Sequence, residues 1–234
     1  MPRLLKLAVA AALLPSALFA ALETAKAFYA VVGNLRATLF FCAGLALYFP
    51  AHFFFRGMGA AYIFAHELAH AAAGLLCGYR VRDFSAGSGK GHVTLDGSNA
   101  FVALAPYFAP VYAMLCAAAY FAVSFKWNMA PYSGWFTGAF GFFLSFHVVS
   151  TAGILWETKQ SDLRQAGGVL FSAAVILAVN SAVLLAACKL LYPDLIGVKA
   201  AGHSVLRHSA VFWQAAWQYA GAGAQKAMLL ANSR

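Results

Sequence analysis

Apolar residues occur along this chain in blocks, broken by short polar stretches. Crossing a bilayer as a helix takes about 20 mostly apolar residues, and blocks at 37–55, 58–77, 100–125, 135–156 and 169–191 reach or approach that length. The first of these closes on Phe53, Phe54 and Phe55 beside Arg56, an aromatic belt with a basic anchor. The next follows a turn at Gly57 and Gly59 and ends at Gly78, where glycine commonly terminates a helix. Pro106 and Pro110 lie inside the 100–125 block and predict a kink whose freed backbone groups are satisfied by neighbouring helices.

Between 79 and 99 the pattern changes. Arg80, Arg82, Asp83, Lys90, His92 and Asp96 cluster there, glycine and serine crowd 85–89, and Val93-Thr94-Leu95 alternates before Asp96-Gly97. Such a stretch predicts a loop carrying a short β-hairpin. The expected fold is therefore an all-α membrane protein, a bundle of five or six transmembrane helices with one hairpin after the 58–77 helix.

The two ends read differently. Arg3 and Lys6 precede an apolar run at 7–14, then Pro15 and the small residues Ser16, Ala17 and Ala20, a pattern shared by secretory signals and by a retained first helix. Glu23, Lys26 and Arg36 make 22–36 an interfacial helix or connector. In the tail, Trp213 and Trp217 stand one turn apart beside Gln214 and Gln218, so 205–230 is expected to be an interfacial helix. The chain thus divides into an N-terminal segment at 1–36, a membrane core at 37–191 and a tail at 192–234.

Composition agrees with the pattern. With 63% hydrophobic and 10% charged residues there is too little polar surface to wrap a water-soluble core. The net charge of +9 is spread singly over loops and ends, which excludes a phosphate-tracking nucleic-acid face and leaves anionic lipid headgroups as the partner. Cys42, Cys77, Cys116 and Cys188 lie in or beside apolar blocks without metal-knuckle or redox spacing. Basic residues are balanced between the two sides, so charge sets no orientation.

The chemistry concentrates in His66-Glu67-Leu68-Ala69-His70. Helical residues four apart share a face, so both imidazoles can bind one Zn²⁺ while Glu67 between them serves as general base. Ionisable residues inside a membrane helix are expensive, roughly 3 kcal/mol near its centre on insertion scales, and mark function by default. A catalytic zinc site usually takes a third protein ligand and keeps one position open.

Depth sorts the carboxylates. His70 lies roughly 10 Å from the hairpin end of its helix at ~1.5 Å per residue, and counting reversals brings Glu157 and Asp162 back to that side, whereas Asp194 emerges opposite. Asp162, in Gln160-Ser161-Asp162-Leu163 at the start of the last apolar helix, is the expected third ligand; Glu157 is the alternative, and a helix N-cap is the structural role open to Asp162. His147 falls at nearly the depth of His70 and is open to four roles: fourth ligand, oxyanion donor, outer partner of a ligand, or helix–helix hydrogen bond. His92 reads as a solvated histidine.

These residues resemble the site-2 protease family of intramembrane zinc metallopeptidases, and are most similar to its small bacterial members without a PDZ domain. The resemblance spans about 57–191: His66-Glu67-Leu68-Ala69-His70-Ala71, Gly74 and Gly78, the hairpin through Gly91-His92-Val93, the Pro106 region and Asp162. It implies zinc held by His66, His70 and Asp162, Glu67 as base, transmembrane protein or peptide substrates cut within the bilayer, a multi-pass place in the bacterial inner membrane, and a cytoplasmic hairpin side. Where the family carries Asn and Pro before an Asp-Gly pair, this chain has Gln160-Ser161 before Asp162-Leu163. An extended substrate is expected to add to an edge strand at Val93, Thr94 and Leu95. Two other functions fit the same residues: a membrane zinc protease of misfolded proteins using Glu157, and a non-catalytic membrane protein that binds partner segments.

Overall fold

In an apolar stretch the backbone satisfies its N–H and C=O groups most simply by winding into a helix. A computed structural model describes residues 3–55, 59–87, 89–157 and 160–232, and most of them are helical. In chain order come α1 (Arg3–Gly33), α2 (Leu35–Phe54), α3 (Gly59–Leu76), β1 (Val81–Ala86), β2 (Gly91–Leu95), α4 (Ala100–Phe108), α5 (Val111–Ser124), a 3₁₀ turn at Ala130–Tyr132, α6 (Ser133–Glu157), α7 (Ser161–Ala166), α8 (Val169–Leu191) and α9 (Val198–Asn232).

Among the described residues, four helices are long and apolar enough to cross a membrane, α1, α2, α6 and α8, or up to five if α4 and α5 form one broken span. The upper figure meets the low end of the expected five or six, and α3 is left out of it for a chemical reason. Helix α3 has 18 residues, but His66, Glu67 and His70 lie in its middle and lower its mean hydropathy. The 100–125 block breaks in two, and α4 and α5 meet at 75°. Pro110 brings no N–H to the carbonyl of Pro106, and the Val111 N–H turns to the Ala109 carbonyl at 2.8 Å.

Helix α1 also departs from expectation, since residues 22–33 continue the helix that began at Arg3 instead of forming a separate connector. Glu23 is tolerated within it because Lys26 lies 2.7 Å away and the Ser204 hydroxyl donates to it at 2.8 Å from α9. The helix lies along α8, with the Thr24 hydroxyl donating to the Ser181 carbonyl at 2.9 Å and Lys6 Nζ to that of Ala166 at 3.0 Å. The tail helix is present and longer than 205–230; Trp217 on it is 81% exposed.

Helix α3 ends where the sequence pattern put its end. Gly78 takes φ 82°, its N–H bonds the Leu75 carbonyl at 3.0 Å, and the Tyr79 N–H bonds that of Gly74 at 2.9 Å. That paired closure turns the chain directly into the hairpin. The strands are antiparallel, pairing Phe84 with Val93, Ser85 with His92 and Ala86 with Gly91, with a bulge between Val81 and Asp83. Leu95 docks the hairpin on α3, against Gly74, where a Cβ would come within 2.7 Å of its methyl carbon.

Two apolar clusters hold the helices together. One joins Ala69 and Ala73 of α3 to Val102, Leu104 and Tyr107 of α4, Leu163 of α7 and Ile176 of α8; the other joins Val31, Phe41, Phe140 and Leu144 of α1, α2 and α6. Between α2 and α6 the approach is closer still. A Cβ on Gly44 would lie 1.9 Å from the Gly138 carbonyl oxygen, and one on Gly141 2.5 Å from that of Phe41. Small residues permit such backbone contact between apolar helices.

Gly44→Ala is therefore expected to destabilise the fold by at least the ~1–3 kcal/mol typical of overpacking, because a carbonyl fixed in a helix cannot step aside. Gly153→Ala on the same α6, where a Cβ meets nothing within 4 Å, should be neutral or gain about 0.5–1 kcal/mol. Thermal unfolding of the two variants in detergent checks the contrast; equal midpoints would refute the packing argument.

Candidate metal centre

The spacing of His66 and His70 gives two imidazoles one turn apart on α3, their ring centroids 4.9 Å apart and nearly perpendicular. Their Nε2 atoms face one carboxylate oxygen, Asp162 Oδ2, at 3.5 Å from His66 and 3.7 Å from His70. Single donor atoms of the three residues lie within 4.8 Å of one another. Bonds of ~2.1 Å at tetrahedral angles put donors roughly 3.4 Å apart, so the two nitrogen–oxygen separations match what one small divalent ion requires.

The far nitrogens of both rings are engaged. His70 Nδ1 donates to the Val102 carbonyl at 2.8 Å, which fixes its proton on Nδ1 and leaves the Nε2 lone pair free. His66 Nδ1 shares a 3.1 Å hydrogen bond with the Tyr62 hydroxyl, one turn earlier on the same helix. The Tyr107 hydroxyl donates to Asp162 Oδ2 at 2.9 Å. Outer partners that orient imidazole and carboxylate ligands in this way are what metal sites use. The three residues could therefore hold one divalent metal ion.

Asp162 reaches this place by a route the sequence did not show. It was expected at the head of the last apolar helix, but it sits on the separate one-and-a-half-turn helix α7, whose N-cap is Gln160. Gly167 and Gly168, with φ of 151° and 99°, then separate α7 from α8. Those backbone angles suit glycine and strain other residues. The reversal is closed by the Gly168 N–H and the Ser172 hydroxyl, both donating to the Leu163 carbonyl, at 2.8 and 3.0 Å. Packing of Leu163 and Ala166 in the α3–α4 cluster then presents Asp162 to the histidines.

Glu67 lines the same cleft, of about 700 Å³, together with His66, His70, Asp162 and β2. Among the described residues no group hydrogen-bonds its carboxylate, and strand β2 passes close beside it. A Cβ on Gly91 would lie 2.8 Å from Glu67 Cγ and 2.5 Å from Ile63 Cγ2, so only glycine allows the strand this near. Val93, Thr94 and Leu95, where an extended substrate was expected to add, line the cleft. Among the described residues β2 pairs with β1 alone, so its other edge is open.

The remaining candidates fall elsewhere. His147 is buried on α6 and is not among the grouped donors; its Nε2 donates to Asn180 Oδ1 at 3.3 Å. A cavity of about 10 Å³ is lined by both His147 and His66. Of its four possible roles, the helix–helix hydrogen bond is the one found. The Glu157 side chain, the alternative third ligand, lies outside the described residues. His92 is exposed as expected, but it also pairs with Asp83 at 2.6 Å and holds that carboxyl below the usual carboxylate range.

Sequence reasoning missed Tyr62, Tyr107, Gly91 and Asn180. Tyr62 carried a readable signal, being four residues before His66 and hence on its face. Asn180 did too, as an amide inside an otherwise apolar helix. Tyr107 and Gly91 did not, because their roles arise only when α4 and β2 are brought to α3. Comparison of the chain with protein-family models, with curated proteins and with solved structures gives no match.

One divalent ion per chain is the expected stoichiometry, read by metal analysis after purification without chelators. Substituting His66, His70 or Asp162 by Ala should each weaken binding by more than the ~10–100-fold that loss of an outer partner produces. Glu157→Ala should leave it unchanged. The opposite result for the two carboxylates would move the third ligand to Glu157.

Proposed function

We propose that this chain is an intramembrane zinc metallopeptidase of site-2-protease type, seated in a bacterial inner membrane and hydrolysing peptide bonds of membrane-spanning or membrane-associated proteins. The observation that carries the reading is the convergence of His66 Nε2, His70 Nε2 and Asp162 Oδ2 in a cleft that also holds an uncommitted carboxylate, Glu67. Four helices of membrane-spanning length and apolarity elsewhere in the chain support the membrane setting. Two histidines and two carboxylates at this depth would be a heavy burden without a function.

A bound Zn²⁺ would supply Lewis acidity, polarising the scissile carbonyl and making water a stronger acid. The protein residues do the rest. His66, His70 and Asp162 hold the ion, and Tyr62, Val102 and Tyr107 keep their ligand atoms turned inward. Glu67 takes the proton of the attacking water and returns it to the departing amine. The open edge of β2 offers unpaired backbone groups, so an unwound substrate segment can add as a strand beside Val93, Thr94 and Leu95. Water can reach Glu67 through the cleft, whose lining includes the polar residues His92, Thr94 and Ser98 and, from α7, Gln165.

Glu67→Gln separates this reading from a non-catalytic binding role. It removes the base and leaves every ligand, so zinc should stay while cleavage of a membrane-reconstituted substrate falls by the ~10²–10⁴-fold typical of general-base catalysis. Function retained in that variant would favour a protein that binds partner segments without cutting them. Gly91→Val tests the strand: it should keep the metal yet lower cleavage, because the added methyls push β2 off Glu67 and Ile63.

A further inference from the structure

The break between α4 and α5 leaves a debt of hydrogen bonds inside an apolar bundle. With Pro110 lacking an N–H and the Val111 N–H turned to Ala109, the Tyr107 carbonyl has no helical donor. Asn180, from the middle of α8, supplies one: its Nδ2 donates to the Tyr107 carbonyl at 2.8 Å and to the Ile176 carbonyl at 3.0 Å. Both partners accept only, so the amide nitrogen must face them, and Oδ1 is left facing α6. There it lies 3.3 Å from His147 Nε2. An amide oxygen cannot donate, so His147 carries its proton on Nε2.

The chain of contacts then continues from Tyr107 in the other direction. Its ring lies edge-on to His66 with centroids 5.6 Å apart, and its hydroxyl donates to Asp162 Oδ2, the oxygen that faces both histidines. Tyr107 is fully buried, and its backbone and its hydroxyl are therefore each fixed by a specific partner. From α6 through α8 and α4 to α7, every link is a hydrogen bond between named atoms.

We propose that His147 and Asn180 are positioning residues that lock the end of α4, so that Tyr107 can hold Asp162 Oδ2 in ligand geometry. This rests on the metal-site reading above. In an apolar surrounding an unpaired carbonyl is costly, so without Asn180 the end of α4 would turn to seek another donor, and the Tyr107 hydroxyl would move with it. Asn180 and His147, which touch none of the three metal-ligand atoms, thereby act on the ion through Tyr107 and Asp162, His147 by way of Asn180. His70 is held directly by the Val102 carbonyl.

The test uses the full-length protein in detergent, with Zn²⁺ affinity measured by competition against a chromophoric chelator and Co²⁺ absorption as a report of ligand geometry. Tyr107→Phe should weaken Zn²⁺ by about 10–100-fold, the range for loss of an outer partner, and alter the Co²⁺ spectrum. Asn180→Ala and His147→Ala should weaken it in the same direction, and His147→Gln, which restores a donor to Asn180 Oδ1, should recover most of the loss. The deciding measurement is the double variant: in a Tyr107→Phe background Asn180→Ala should have no further effect on affinity, whereas a merely structural role would add to it. Should Asn180→Ala fail to accumulate, His147→Ala in both backgrounds makes the same comparison. Wild-type protein that binds no metal would overturn the metal-site reading; wild-type binding with unchanged affinity in Tyr107→Phe, or additive losses in the double variant, would overturn this proposal alone.

Discussion

Asp162 Oδ2 lies among two imidazole nitrogens and a tyrosine hydroxyl, and four helices are placed so that it does. A carboxylate withdrawn from water needs charge or hydrogen-bond donors on every side. Here the Tyr107 hydroxyl of α4 donates and the imidazole nitrogens of α3 face the same oxygen across the space a cation would fill, while α7 delivers the carboxylate and α8 steadies the break in α4. The short helix, the double glycine and the 75° bend are all consequences of bringing one acidic side chain from late in the sequence to a histidine pair that precedes it by about a hundred residues. None of them would be needed by an ordinary bundle of apolar helices.

That bundle itself was legible in the sequence because its cause is local. Apolar blocks become helices wherever backbone groups have no other partner, and α2, α6 and α8 fall within a few residues of the blocks that predicted them. Gly78 ended α3 for a local reason as well. The hairpin was legible as alternation, its turn as glycine and serine. Where the reading went astray, a distant contact took part: α1 runs on through Glu23, which Lys26 neutralises and to which the Ser204 hydroxyl donates from across most of the chain. Asp162 was singled out by depth, yet its separation from α8 depends on the backbone angles of Gly167 and Gly168.

The polar residues of the interior divide in the same way. The histidine pair was visible because both members lie on one helix face, whereas the contacts that orient them come from Val102, Tyr62 and Tyr107 on two helices. His147 illustrates the limit of depth as a criterion. It stands at the right level and in the right span, but its ring is committed to Asn180, and what it shares with His66 is the lining of a small cavity. Equal depth places two residues in one layer of the membrane; only packing decides whether they meet.

Closeness of approach is governed by missing side chains as much as by those present. Gly44 with Gly138 and Gly141 lets α2 touch α6 backbone to backbone, which fixes the frame in which His147 sits. Gly91 lets β2 run against Glu67, and Gly74 receives Leu95 at the other end of the same strand, so the hairpin is pinned at both ends of β2 along α3. On the peptidase reading this pinning has a chemical use. A strand added to the open edge of β2 would inherit its direction and distance from α3, and its backbone would pass Glu67 at a separation set by the fold. Unwinding of the substrate would then be compensated by strand pairing in the place where the reaction occurs, so that the helix-to-strand transition and the positioning of the scissile bond become one event.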